Sequence, residues 1–300
     1  MSAPALLLDG LAFAEAPRWH DGALWFSDFF LQQVLRVDAQ GQTQVMAELP
    51  NQPSGLGWAP DGRLLVVSML DHRLMRLDPG GLTTVAELGA FATGPCNDMV
   101  VDARGGAYIG NFGFDLFAEP VQRRSAALVY VSPDGVPRVA AEGLEFPNGA
   151  VITPDGRTLI VAETFARRLS AFRIGADGSL HDRRVWAEFD KVAPDGICLD
   201  AEGAVWVASP RGNEFVRVLE GGAVTDHIAC DRQAIACALG GAGGKRLFMI
   251  GGKVRPREPS LADRAGRITW ADVAVPAAAG PARRSPESED GVAADPVRCD

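Results

Sequence analysis

Residues 148–163 read NGAVITPDGRTLIVAE, and the pattern of this stretch occurs six times along the chain. Five of the six copies begin with a polar residue, and the sixth begins with an apolar one. Each copy reaches a glycine turn about eight residues later and ends in a short apolar run that favours a β-strand. The other copies are EAPRWHDGALWFSD at 15–28, SGLGWAPDGRLLVVS at 54–68, NDMVVDARGGAYIGN at 97–111, DGICLDAEGAVWVAS at 195–209 and IACALGGAGGKRLFMI at 235–250. Their first residues are separated by 39, 43, 51, 47 and 40 residues, a spacing typical of propeller blades.

Glycine-containing turns recur about every twenty residues, two in each repeat, and such turns supply the positive φ that tight hairpins need. Two turns and about four strands per repeat predict an all-β fold, a six-bladed β-propeller with four-stranded blades. We expect strands at 5–13 and 267–276 to complete the last blade together. Residues 1–276 would then form a single domain, and 277–300, rich in Pro, Ala and charge, a flexible tail.

Charge and composition narrow the function classes. The chain has 300 residues, is 47% hydrophobic and carries a net charge of −9. The absence of a basic stripe argues against nucleic acid, and small neutral or electrophilic substrates or a cation are better suited. No apolar run approaches the length of a membrane span, so we expect no membrane partner. The oligomeric state stays open.

Cysteine usage and the N-terminus favour a cytoplasmic protein. The five cysteines are an odd number without a CxxC pair, which disfavours both a disulfide framework and a zinc cluster. The segment MSAPALLLDG lacks the basic region of a signal peptide.

The first column of the aligned repeats predicts a metal site. In a propeller the innermost strands line the central channel, so equivalent positions form one ring: Glu15, Ser54, Asn97, Asn148, Asp195 and Ile235. Two carboxylates that face each other across a narrow channel repel, and a divalent cation removes the repulsion. With amide oxygens as further ligands, this all-oxygen set suits Ca²⁺ first, with Mg²⁺ and Mn²⁺ as alternatives. The competing interpretation is that these Asn and Asp residues are bonded to their own backbone in turns.

Four segments, AEAPRW, CNDMVVD, FPNGAVITPDG and APDGICLD, resemble the successive motifs of the SMP-30/gluconolactonase (regucalcin-like) family, over roughly residues 8–276. The resemblance implies a six-bladed propeller that holds one divalent metal ion, with Zn²⁺ and Fe²⁺ as further alternatives, and that hydrolyses lactones. Matched by motif, Glu15, Asn148 and Asp195 would be the metal ligands, and Asn97 would contact substrate or a metal-bound water. Asp195 would also be the catalytic acid/base or nucleophile.

One position departs from the family pattern. Sugar-lactone members commonly carry an Arg two residues before the Asn of the third motif, where this chain has Pro95. Pro offers no side-chain donor to sugar hydroxyls, and phenylalanine is plentiful near the expected pocket, so a less polar lactone or an ester is expected. The predicted substrate-binding residues are Asn97, Asp98, Phe112 and Phe114.

Two other functions compete with the lactonase. One is a different hydrolase, of esters or phosphoesters, or a ring-opening or cyclising enzyme on the same metal scaffold. The other is a calcium-binding or protein-interaction propeller without catalytic activity.

Overall fold

Six antiparallel four-stranded sheets build the protein, for which a computed structural model describes residues 4–280. Five of these sheets are consecutive along the chain, and their strands follow with the innermost first. They are β2 (Ala14–His20), β3 (Ala23–Asp28), β4 (Gln33–Val37) and β5 (Thr43–Glu48); β6 (Pro53–Trp58), β7 (Leu64–Ser68), β8 (Arg73–Asp78) and β9 (Gly81–Glu87); β10 (Cys96–Val101), β11 (Ala107–Asn111), β12 (Ala126–Val131) and β13 (Pro137–Leu144); β14 (Pro147–Ile152), β15 (Thr158–Glu163), β16 (Arg168–Ile174) and β17 (Leu180–Glu188); and β18 (Ile197–Leu199), β19 (Val205–Ser209), β20 (Glu214–Val218) and β21 (Val224–Ala229).

The sixth blade joins the two ends of the described chain. It contains β22 (Gln233–Gly240), β23 (Arg246–Gly252) and β24 (Gly266–Asp272), and its outermost strand is the N-terminal β1 (Ala5–Leu11), antiparallel to β24. The innermost strands contact one another in sequence, and β22 contacts β2, so the ring is closed. The predicted all-β, six-bladed propeller, closed by N- and C-terminal strands, is therefore confirmed.

The hydrophobic core lies between the blades. One buried apolar cluster fills each of the six interfaces between neighbouring blades. Phe26 and Phe248, for example, belong to the cluster that joins the first and last blades, and Tyr108 and Phe172 to the one between the third and fourth. Because each blade buries both faces against its neighbours, the hydrophobic effect holds the ring and its channel at a fixed width.

Irregular pairing marks the point where five of the six innermost strands enter the channel. The ladder register shifts between Glu15 and Arg18, Pro53 and Leu56, Cys96 and Met99, Pro147 and Ala150, and Ala234 and Ala236. β-Bulges of this kind re-aim side chains and are frequent beside active sites. In this propeller they fall at the positions of the predicted ring.

The two long loops and the C-terminal segment differ in structure. Residues 112–125 form no strand before β12, whereas the loop after β23 contains the short helix α1 (Arg257–Asp263). The predicted tail begins at 277, yet Ala277 donates a backbone hydrogen bond to Gly244 and Ala278 donates one to Leu199. The remainder of that tail, 281–300, lies outside the described residues.

Two further expectations concern thiols and membranes. The four cysteines within residues 4–280 are free thiols. No helix in this part of the chain has the length and apolar character needed to cross a bilayer.

Candidate metal and substrate site

Four of the six ring residues converge on one cavity of about 290 Å³ at the end of the channel where the innermost strands begin. Glu15, Asn97, Asn148 and Asp195 all line it, and each is at least nine-tenths buried. Of the other two ring positions, Ser54 contacts Asn97, and Ile235 packs into the apolar cluster of the last interface. The polar groups that line the cavity therefore come from four of the six blades, as the uneven first column of the repeats indicates.

The two carboxylates are electrostatically unfavourable when they stand alone. Burial raises the pKa of Glu15 well above its ordinary value, and the negative charges of Asp195 and Asp98 raise it further. Burial also raises the pKa of Asp195, again helped by Asp98, although a hydrogen bond from Asn148 opposes the shift. Without a cation this pair would have to take up a proton, because two buried like charges cannot both stay ionised at low cost.

A chain of hydrogen bonds fixes the two amides. Ser54 Oγ donates to Asn97 Oδ1 at 3.2 Å, and Asn97 Nδ2 donates to Asn148 Oδ1 at 3.3 Å. Asn148 Nδ2 donates to Thr164 Oγ1 at 3.3 Å, and the Thr164 hydroxyl donates to the carbonyl of Pro194 at 2.8 Å. Thr164 thereby orients the Asn148 oxygen towards Asn97 and the ring.

The residues present fit a hard divalent cation. Asp195 Oδ1 is buried without a hydrogen-bond partner, and only one oxygen of Glu15, Oε2, accepts the adjacent backbone N–H of Ala16, at 2.9 Å. Residues 4–280 contain no cluster of three His, Cys, Asp or Glu side chains suited to a metal ion. A cation here would therefore need the amide oxygen of Asn148 beside the two carboxylates, an all-oxygen set that suits Ca²⁺.

The residue that follows each ring residue shows how closely neighbouring innermost strands pack. It is Ala or Gly in five of the six repeats: Ala16, Gly55, Gly149, Gly196 and Ala236. A Cβ on Gly149 would lie 2.5 Å from the backbone nitrogen of Ile197 in the next blade. The innermost strands thus approach so closely that small residues are required between them.

Asp98 occupies the sixth of these positions and is the exception. It is absent from the cavity lining, and its Oδ1 lies 3.1 Å from Arg18 Nη2 in an ion pair. Arg18 Nη2 also donates to the carbonyl of Met99 at 2.6 Å. The structure thus places the predicted substrate residue Asp98 beside the carboxylate pair but outside the lining, as the partner of Arg18.

An aromatic wall rises above the ring. The five phenylalanines that line the cavity are Phe13, Phe29, Phe112, Phe146 and Phe165. Phe112 stacks on Phe146 with ring centroids 4.5 Å apart. Phe114, predicted with Phe112 to contact substrate, packs against Phe146 and Phe165 from outside and does not line the cavity.

Sequence reasoning missed several lining residues. Phe13, Phe146, Ala193 and Gln233 each stand two positions before a ring residue and form a second level of the cavity, which reading one more column of the repeats would have found. The arginines Arg123, Arg167 and Arg211, which come from loops and turns, line the cavity as well. No comparable repeat signal marks them.

Comparison with known proteins supports the family resemblance of the sequence motifs. The family model described as "SMP-30/Gluconolactonase/LRE-like region" matches residues 13–252. The chain is 26% identical over 257 residues to L-arabinolactonase of Azospirillum brasilense, covering 83% of this chain and 84% of that protein. It is 26% identical over 217 residues to regucalcin of Danio rerio, covering 68% and 70%.

Solved structures share the fold. A calcium-binding regucalcin from Agrobacterium tumefaciens superimposes with a TM-score of 0.77 at 21% identity, covering 95% of this chain and 98% of that one. Together with the family model, which spans most of the propeller, this confirms the resemblance of the sequence motifs. The chain belongs to the SMP-30/gluconolactonase/LRE-like family.

Proposed function

We propose that this protein is a metal-dependent lactonase of a non-sugar lactone, whose body is less polar than that of a sugar lactone. The observation that carries the proposal is the pair of buried carboxylates, Glu15 and Asp195, with Asp195 Oδ1 left without a partner on the floor of a cavity walled by phenylalanine rings. Family membership and the names of relatives such as L-arabinolactonase add support. The three protein ligands are Glu15, Asn148 and Asp195, and Ca²⁺ is the preferred ion.

The cation would polarise the lactone carbonyl and stabilise the negative charge that develops on its oxygen. The residues of the chain do the rest. Ser54 holds the oxygen of Asn97, which leaves the Asn97 amide N–H groups to face Asn148 and the cavity. Asn97 can therefore donate a hydrogen bond to the carbonyl oxygen as charge builds there.

Asp195 is the group that transfers the proton in this reaction. In hydrolysis the carbonyl carbon gains the hydroxyl of a water molecule, the ring C–O bond breaks, and the ring oxygen receives the proton. Asp195, on the cavity floor, can take the proton from water and return it to the departing ring oxygen. Direct attack of its carboxylate on the carbonyl carbon, followed by hydrolysis of the resulting anhydride, is the alternative route.

The cavity wall supports the preference for an apolar substrate. Five phenylalanine rings surround the space above the ring, and Pro95 stands where sugar-lactone members commonly carry Arg. Apolar walls favour ligands whose carbon framework can be removed from water, at about 25 cal/mol for each Å² buried. A sugar lactone would place part of its polar surface against these rings, where its hydroxyl groups lose hydrogen bonds to water.

The test is a substrate and metal matrix. Chelator-treated protein is assayed on gluconolactone, aliphatic lactones and aryl lactones, before and after the return of Ca²⁺, Mg²⁺, Mn²⁺, Zn²⁺ or Fe²⁺. We expect activity only after metal return, with a higher kcat/KM on aliphatic or aryl lactones than on gluconolactone. Asp195→Asn should abolish turnover, whereas Asp134→Asn, in an exposed turn, should not. Failure to hydrolyse any lactone with any metal would overturn the proposal.

A further inference from the structure

We propose that the three arginines at the rim of the cavity bind an anionic group, a carboxylate, that the substrate carries at the end remote from its lactone ring. The inference rests on the proposed lactonase function and specifies the substrate class of that same cavity. The rim residues are Arg123, Arg167 and Arg211.

The charges of the cavity are arranged in two levels. Among residues 4–280, the acidic residues that line it are Glu15 and Asp195 on the floor, and the basic ones are the three arginines. All three arginines are exposed, whereas both carboxylates are buried. In a chain with a net charge of −9, a site mouth that the described residues line with three positive side chains favours the entry of anions.

Three separate segments supply these arginines. Arg123 lies in the loop between β11 and β12, Arg167 in the turn between β15 and β16, and Arg211 in the turn between β19 and β20. The last two turns belong to adjacent blades and occupy equivalent places in them. The convergence therefore arises from the propeller, which brings separate segments to one face, and not from a local run of basic sequence.

The guanidinium groups remain available for a ligand. Among residues 4–280, none of the three forms an ion pair with a carboxylate within 4.0 Å, although the neighbouring Arg168 is paired with Glu163. Arg167 Nη1 donates to the carbonyl of Asp190 at 2.9 Å, and the Arg123 guanidinium carbon lies 4.2 Å from the ring centroid of Phe165. These contacts use one N–H donor of Arg167 and one face of the Arg123 guanidinium. A guanidinium has five N–H donors in a fork that matches a carboxylate, so donors remain for a ligand.

The order of the levels sets the shape of the substrate. Its lactone carbonyl belongs on the floor with Glu15 and Asp195, and its anion at the arginine rim. Between them stand the phenylalanine rings, including Phe146 and Phe165, which require an apolar body. The substrate class is therefore a lactone joined through an aryl or alkyl spacer to a carboxylate.

A matched pair of lactones tests the inference. The two share a γ-lactone ring with a phenyl substituent, and they differ in a para-carboxylate or its methyl ester. We expect kcat/KM to favour the carboxylate by about tenfold or more, mainly through KM, and the preference to shrink as salt is added. The ratio should fall towards one in Arg123→Gln/Arg167→Gln/Arg211→Gln and be reduced in Arg211→Gln alone. Arg173→Gln, whose residue pairs with Asp182 on the exposed surface, is the matched control and should keep the ratio.

A binding experiment separates this inference from the lactonase proposal. The corresponding cyclic ethers lack the carbonyl and cannot be hydrolysed. The difference in affinity between the two ethers, measured by calorimetry, therefore reports the binding of the carboxylate without any contribution from catalysis. Preferential binding of the carboxylate ether that is lost in the triple variant would support the inference, even if neither lactone is hydrolysed. The absence of lactone hydrolysis would overturn only the lactonase proposal. Equal affinity for the two ethers, or a preference that survives in the triple variant, would overturn the inference.

Discussion

Arg18 and Asp98 form an ion pair next to the carboxylates of the candidate metal site, with Nη2 and Oδ1 3.1 Å apart, although they come from the first and third blades. Asp98 is nearly buried, and Arg18 is about one-fifth exposed. The pair matters for the site because the charge of Asp98 acts on both Glu15 and Asp195. Arg18 is the nearby cation that balances this third carboxylate.

Replacing Arg18 by Met should therefore destabilise the metal-free protein by about 2–4 kcal/mol, since Asp98 would be left as an uncompensated buried charge. Because added Ca²⁺ would relieve the excess negative charge, we expect a larger calcium-induced rise in Tm than in the parent protein. Calorimetry with chelator and with Ca²⁺ measures both effects. The control Arg173→Met removes an exposed pair and should cost about 0–1 kcal/mol. Equal calcium-induced shifts in the parent and Arg18→Met would contradict this account.

Asp195→Asn should stabilise the metal-free protein at neutral and higher pH. Since burial raises the pKa of Asp195, the folded state retains a proton that the unfolded state has released, and stability falls as pH rises from the ordinary range of a carboxyl to the raised pKa. Urea unfolding in chelator, from about pH 4 to about pH 8, should show a steeper decline in the parent than in the variant. Asp134→Asn is the exposed comparison, and parallel curves for the parent and Asp195→Asn would refute the expectation.

The pKa of Glu163 is shifted in the opposite direction to that of Asp195. Burial by itself would raise its pKa, but hydrogen bonds from Arg168, Ser170, the Glu145 backbone and Arg183 outweigh this and lower the pKa to about 2. The resulting stabilisation is present above the ordinary pKa of 4.5 and is lost as pH falls towards 2. Glu163→Gln should therefore destabilise the protein by about 2–4 kcal/mol at neutral pH and by less in acid. A pH-independent difference in urea unfolding would rule out this linkage.

Gly149→Ala tests the close approach of the innermost strands. The added Cβ would lie 2.5 Å from the Ile197 nitrogen, so strands β14 and β18 must separate, at a cost of about 1–3 kcal/mol. Calcium affinity should weaken as well, because Asn148 and Asp195 move apart. Gly80→Ala, at a site with no heavy atom within 4 Å of the new Cβ, is the control and should leave the Tm and the affinity unchanged. An unaltered Tm in Gly149→Ala would show that the strands can adjust.

The repeats were sufficient to predict the fold and the ring because both depend on the backbone. Equivalent residues of equivalent strands must meet at the channel, so Glu15, Asn97, Asn148 and Asp195 could be brought together from spacing alone. The pairing of Asp98 with Arg18 could not be predicted in this way. It depends on the bulges that re-aim side chains in β2 and β10, and no sequence pattern specifies their direction.

The cavity wall was predictable only in part. Phe112 and Phe114 are two residues apart in one loop, and the composition of that loop cannot tell which ring faces the cavity. The structure places Phe146 beside both, so that Phe112 stacks on it from the cavity side and Phe114 packs behind. The arginine rim was missed for a related reason, since Arg123 lies in an irregular loop and the turns that carry Arg167 and Arg211 fall just outside the aligned segments.

The pairing of β1 with β24 has a consequence for how the protein is made. A ribosome releases β1, which ends at Leu11, long before β24, which begins at Gly266. The first strand must therefore wait, unpaired, while five blades are synthesised, and the candidate metal site gains Asp195 only when the fifth blade emerges. Contacts so distant in sequence are slow to form. The candidate metal site should thus be completed late in the biogenesis of this protein, after the synthesis of most of its blades.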